Sequence, residues 1–155
     1  MYNSNLLHIA VDEYTQRLMS LITPHILNGL ETMWHKVQTN PKKYIDFQSA
    51  LEDIPSWNMT NIDDNVARLE RSCDCKKLQV LLDNIFIMNT KIVSLSTKLN
   101  DVTLNIPKLK HFIHKCFVNS AREIWVIPEI FDLIAKASYK ERISLNQTVR
   151  ELLTR

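Results

Sequence analysis

Five side chains of soft or borderline ligand character cluster in two short motifs: Cys73 and Cys75 in a C-x-C pair, and His111, His114 and Cys116 in an H-x-x-H-x-C run. Thiolate and imidazole together suit tetrahedral zinc. The spacing argues against it, because C-x-C is tighter than the usual zinc pair and H-x-x-H is shorter than the familiar histidine pair. On a helix, His111 and His114 lie about 60° apart and can share an ion, whereas Cys116 points about 140° to 160° away from both. A site made of Cys73, Cys75, His111 and His114 requires the loop before the following helix to fold back. Otherwise Cys116 is a small buried hydrophobe, C-D-C is a reduced turn, and the histidines are boundary or surface groups. No metal or other cofactor is expected.

Other catalytic chemistry finds less support. No serine sits in a G-x-S-x-G elbow and no cysteine has the local setting of a thiol protease. Glu31, Glu52-Asp53 and Asp63-Asp64 look like helix-end or solvated charges, with nothing to pair two carboxylates on an apolar surface. The chain holds a single glycine. Phosphate loops, dinucleotide turns and tight hairpins need more, so nucleotide-fold enzymes and sheet-rich folds are disfavoured and a non-enzymatic role is expected.

A surface feature stands out instead. Lys108, His111, Lys115 and Arg122 fall within an arc of about 60° and run along about 21 Å of helix. They form a basic ridge opposite the apolar stripe. Lys108, Lys110 and His111 also fall in the expected first turn, where the helix dipole disfavours positive charge, at a cost of a few tenths of a kcal/mol. That points to an acidic partner or to an ordinary solvated face. Among the aromatics, Trp125 continues the apolar stripe at its edge. Trp57, after Ile54-Pro55-Ser56, either plugs the bundle or anchors a neighbour. The candidate partner-binding residues are therefore Lys108, His111, Lys115, Arg122 and Trp57, with the apolar side of the tail helix as a further contact surface.

The elements that must position these residues follow from apolar periodicity. Leu7, Ala10, Val11, Tyr14, Leu18, Leu21 and Ile22 make a first amphipathic helix, and Ile26, Leu30, Met33, Trp34 and Val37 resume the pattern past Pro24. Pro24 either kinks one long helix or starts a second. Helices are expected at about residues 41 to 53 and 59 to 72, the latter with Asp63 and Asp64 in its first turn. A long one through Leu78 to Leu99 is apolar on most sides, which places it at the centre of the bundle. After a connection at 100 to 105, Leu109, Phe112, Ile113, Cys116, Phe117, Ala121, Ile124 and Trp125 define the next helix. A shorter one follows Pro128, and the tail repeats Leu145, Val149, Leu152 and Leu153 on one face. The expected fold is all-α, a single compact bundle of six to eight helices spanning residues 1 to 155 as one domain.

With 155 residues and 45% apolar content the chain can bury its own core. Its net charge of +2, from 19 basic and 17 acidic side chains, marks no dedicated nucleic-acid binder. No signal peptide and no run of 18 or more apolar residues is seen, and three cysteines suit free thiols in a reducing cytoplasm or nucleus.

The run Ile106-Pro107-Lys108-Leu109-Lys110-His111-Phe112-Ile113-His114-Lys115-Cys116, then Ala121-Arg122-Glu123-Ile124-Trp125, Pro128 and Phe131, resembles a family of small uncharacterised proteins of large nucleocytoplasmic DNA viruses, of the chlorella-virus and mimivirus type. Tyr14-Thr15-Gln16-Arg17-Leu18, Pro24-His25-Ile26, Ile54-Pro55-Ser56-Trp57-Asn58 and Thr148-Val149-Arg150-Glu151-Leu152-Leu153 extend the resemblance in the same order. It implies a helical viral protein and offers no catalytic residues to carry over. The role it suggests is a minor capsid component in the virion, assembled in the host cytoplasm and partnered by major and minor capsid proteins. The alternative is a small nucleic-acid-binding or regulatory module using the ridge.

Overall fold

The computed structural model describes residues 3–72, 75–97, 106–136 and 139–153. Among them are seven α-helices and no strand: α1 (Asn3–Val37), α2 (Lys43–Asp53), α3 (Met59–Ser72), α4 (Cys75–Thr97), α5 (Leu109–Trp125), α6 (Ile130–Lys136) and α7 (Tyr139–Leu153). A short 3₁₀ turn, Ile54–Ser56, closes α2. The all-α bundle is as the periodicity implies. The expected connection at 100 to 105 lies outside the described residues.

Pro24 does not end the first helix, which continues as one α-helix of 35 residues. Proline removes one backbone donor and crowds the preceding turn. Continuity is sustained by packing on either side of it, because Leu18, Ile22, Ile26, Leu30 and Trp34 recur every fourth residue and are all buried. One local cost remains at this point. The Thr23 hydroxyl is buried without a hydrogen-bond partner among the described residues. Helix α3 starts on a side-chain cap: Asn58 accepts the backbone N–H of Asn61 at 2.9 Å. Asp63 and Asp64 consequently sit beyond the first turn of α3, not within it.

The central helix is α5, not α4. Helix α5 touches α1, α2, α3, α4, α7 and the 3₁₀ turn, whereas the main neighbour of α4 is α1. Leu78, Leu81, Leu82 and Ile85 of α4 are buried, but Val80, Val93 and Leu95 are exposed. Apolar periodicity on most sides therefore marks a helix with uncovered faces here. The segment Lys77–Leu95 has a mean hydropathy of 1.2 and is long and apolar enough to cross a membrane by length and composition, although in the fold it lies along α1. On the apolar side of the tail helix Val149 is fully buried and Leu145 packs against the core, while the side chains of Leu152 and Leu153 lie outside the described residues.

The sole glycine sits where α1 and α5 meet. A Cβ at Gly29 would lie 2.8 Å from both Cε1 and Cζ of Phe117. Retreat of Phe117 is restricted, because it is 1% exposed and its ring packs against His25 and Trp57 at centroid distances of 5.7 and 5.5 Å. Gly29→Ala is therefore expected to lower stability by about 1–3 kcal/mol through overpacking, even though alanine gains about 1 kcal/mol in helix propensity. Denaturant unfolding at equal m-value checks this, and a stabilised variant would refute the close approach. Thr23→Val, which replaces the unpaired hydroxyl by a methyl, is expected to be neutral or to stabilise by about 1 kcal/mol. A loss above that in thermal unfolding would show that the hydroxyl has a partner.

Candidate functional site

The ridge emerges from the way α5 is buried. Leu109, Ile113, Phe117, Ser120, Ala121 and Ile124 face the core, so the opposite pole of the helix must face solvent. Lys108, His111, Lys115 and Arg122 are all exposed there. None of the four has an ion-pair partner among the described residues, whereas Lys110 reaches Asp63 of α3 at 3.5 Å. Lys108 is the residue before the helix, in extended geometry, and its side chain caps nothing. The cap comes from α4: the backbone N–H of Leu109 donates to Oε1 of Gln79 at 2.9 Å. Of the three basic residues expected in the first turn, only Lys110 and His111 lie in it.

Beside the ridge runs an apolar groove of about 310 Å³ between α5 and the α2–3₁₀ corner, lined by Leu51, Glu52, Pro55, Val118, Ala121, Arg122 and Trp125. Trp125 is pinned at its mouth. Its indole N–H donates to Oε1 of Glu52 at 3.0 Å, and its carbonyl accepts from Nε2 of Gln48 at 2.9 Å. Even so, Trp125 stays 42% exposed and the following Val126 is 72% exposed. Arg122 belongs to both features. The groove residues come from segments about 70 positions apart, so the sequence alone marks only Arg122 as a binding candidate and Trp125 as the edge of the stripe, and Glu52 reads there as a solvated charge. Pro55 beside a tryptophan-bearing helix edge was the available signal, and nothing local linked the two.

The other candidates turn inward. Trp57 is half-buried, stacked on His114 at 5.8 Å and tilted against Phe117. His114 donates from Nε2 to the carbonyl of Ile54 at 2.8 Å, which fixes the ring against the 3₁₀ turn. That nitrogen is occupied, while His111 is exposed on the ridge, so the two histidines are separated by role as well as by angle. Among the described residues no three His, Cys, Asp or Glu side chains gather into a metal-binding group. Cys73 and the side chain of Cys75 lie outside the described residues. Trp57 and Phe117 also floor a cleft of about 400 Å³ rimmed by Thr32, Lys36, Asp53, Asn61, Asp64 and Arg68. At its edge His25 donates to Oδ1 of Asn65 at 2.6 Å. Burial holds the His25 pKa below its ordinary value, aided by Arg68 and opposed by the Asn65 bond.

Cys116 is half-buried beside the core, and burial pushes its thiol up to about 11. The thiolate is the reactive form, so a nucleophilic role is disfavoured. In a Cys73→Ser/Cys75→Ser background, Cys116 is expected to react with a disulfide reagent at pH 8 at least about tenfold more slowly in the folded protein than in denaturant. Equal rates would contradict the burial.

The densest polar cluster is structural. Tyr44 donates to Oδ2 of Asp132 at 2.6 Å, and Lys136 and Lys43 approach the same oxygen at 3.2 and 3.7 Å, joining α2 to α6. The Tyr44 hydrogen bond, then the two lysines, hold the Asp132 pKa down, while the same bond raises that of Tyr44. A depressed carboxylate contributes stability above its unfolded pKa of about 4 and loses it as pH falls through the folded value; a raised phenol contributes below about 10 and loses it as pH rises through its folded value. Tyr44→Phe should therefore be less stable than the parent at neutral pH, with the difference shrinking in acid. A pH-independent difference in unfolding midpoint would refute the linkage.

Fold and surface together define an all-α bundle that presents an apolar groove and a basic ridge, with no catalytic constellation assembled among the described residues. The chain belongs to a family of unknown function, DUF5764, whose pattern matches residues 4–132, from the start of α1 into α6. No curated protein and no solved structure matches it.

Proposed function

We propose that this protein works by holding other proteins together and not by catalysis, as a minor capsid component of an icosahedral large DNA virus that bridges neighbouring capsid subunits. It would reside in the virion and be made in the host cytoplasm. The observation that carries the binding role is the groove at Trp125, where an indole, a proline and Val118 stay open beside the Arg122 guanidinium. Indole and guanidinium groups in a partly desolvated pocket are the usual energetic centres of protein interfaces. The viral setting rests on the sequence resemblance around Ile106 to Phe131.

Quantitative mass spectrometry of purified particles tests this reading: the protein should be present at fixed ratio to the major capsid protein. Trp125→Ala with Arg122→Glu should retain the parent's helicity yet lose incorporation by about 30-fold or more, the effect of removing one strong contact centre. Absence from particles, or full incorporation of the folded double variant, would refute it.

A second reading is favoured by one observation, the lack of carboxylate partners for the ridge while Lys110 has one. In it the protein binds nucleic acid. Three phosphate contacts from Lys108, Lys115 and Arg122 would weaken binding about 40-fold between 50 and 200 mM salt. Alanine at all three should abolish binding, and no binding at low salt removes this alternative.

A further inference from the structure

Helices α1 and α4 run antiparallel and turn one face away from the rest of the bundle. Leu6 and Leu7 lie beside Lys91, Ser94 and Leu95 at one end, and Tyr14, Arg17 and Leu21 lie beside Lys77, Val80, Leu81 and Asn84 at the other. These two depressions, of about 450 and about 400 Å³, open on the same side of the helix pair. Gln79, which reaches α5, marks the opposite side: Val80, Asn84, Lys91 and Leu95 stand about 100° to 160° round α4 from it. Leu6, Val80 and Leu95 are 60%, 55% and 58% exposed. Scattered exposed aliphatics are ordinary, but a row of them along one two-helix groove marks a contact surface.

We propose that this face is a docking groove for an acidic amphipathic helix of a partner protein. Shape supports a helix, since the trough between two antiparallel helices is the seat that a third one fills with residues at i, i+3, i+4 and i+7. Length agrees: Leu6 to Leu21 spans about 22 Å, or about four turns. Charge selects the partner's sign. Arg17, Lys77 and Lys91 line the trough, with Glu13 the carboxylate that helical spacing puts on the same side. Lys77 and Lys91 have no ion-pair partner among the described residues, and Arg17 lies over the Tyr14 ring at 5.9 Å. A second copy of the chain would bring these cations against their own kind, which opposes self-association. A lipid surface is matched less well, because the face is concave and its one aromatic, Tyr14, is half-buried, whereas helices that lie in membrane interfaces present protruding aromatic and leucine side chains. The groove shares no residue with the Trp125 site, so the proposal stands apart from the function proposed above.

Three probes test it by fluorescence anisotropy or co-sedimentation at low salt. They are a peptide of roughly 18 residues with leucine at i, i+4, i+7 and i+11 flanked by glutamate, the same peptide with lysine for glutamate, and phosphatidylglycerol vesicles. The acidic peptide should bind at least about tenfold more tightly than the basic one. Val80→Asp and Leu95→Asp, both at exposed positions, should each weaken it about tenfold or more. Lys77→Glu with Lys91→Glu should reverse the preference, and Trp125→Ala should leave it unchanged. Equal or tighter binding of the basic peptide, binding to vesicles alone, dimerisation without peptide binding, or no binding to any probe would overturn the proposal.

Discussion

The contact between Gly29 of α1 and the ring of Phe117 of α5 is the constraint on which the remaining geometry depends. A glycine inside a helix costs about 1 kcal/mol relative to alanine, and α1 already carries Pro24. Burying one phenylalanine returns about 2–3 kcal/mol, so the exchange favours close approach provided the ring is packed on its other sides. It is, by His25 and Trp57. The sole glycine of the chain thus serves helix packing.

From that contact follows the orientation of α5. With Phe117 against α1, the stripe from Leu109 to Ile124 is buried and the pole bearing Lys115 and Arg122 is turned to water. Polar groups around the stripe are satisfied from other elements: Gln79 caps the first turn, and His114 donates to the 3₁₀ turn. An uncapped amide or an unpaired imidazole in that position would cost about 1–3 kcal/mol. Because α4 and the α2–3₁₀ corner make these bonds, the outer pole of α5 is left free of structural duties. The Trp125 groove is the seam where the corner and the helix fail to close completely.

The reach of sequence reading has a physical pattern. Helices whose buried face is a narrow stripe, such as α3 with Ile62, Val66 and Leu69, are legible because period alone defines their partner side. The basic ridge is legible for the same reason. Helix α4 misled because apolar content reports what a helix tolerates touching, not how many neighbours it has. Pro24 left two readings open, one long helix or two, and burial on both sides of it, which outweighs one lost hydrogen bond, decides for one. The groove and the Trp57–His114–Phe117 stack join residues from distant segments, and pairing across such distance leaves no local trace.

The same reasoning explains why the open face lies where it does. Among the described side chains the fully buried residues of α1 begin at Leu18 and those of α4 end at Ile85, so the N-terminal half of one and the C-terminal half of the other, which lie side by side, are thinly covered. Two helices alone cover less than half of each other's circumference, and an isolated pair gains little beyond the marginal stability of short helices. Apolar side chains retained at Leu6 and Leu95 then add nothing that this pair can use internally, while each exposes surface worth about 25 cal/mol per Å² when covered. A third helix laid in the trough recovers that free energy without moving the core, since Phe117 already holds α1 against α5 and Gln79 ties α4 to it. The flanking cations add little affinity to such a contact and a good deal of selection, because a like-charged partner must desolvate against them.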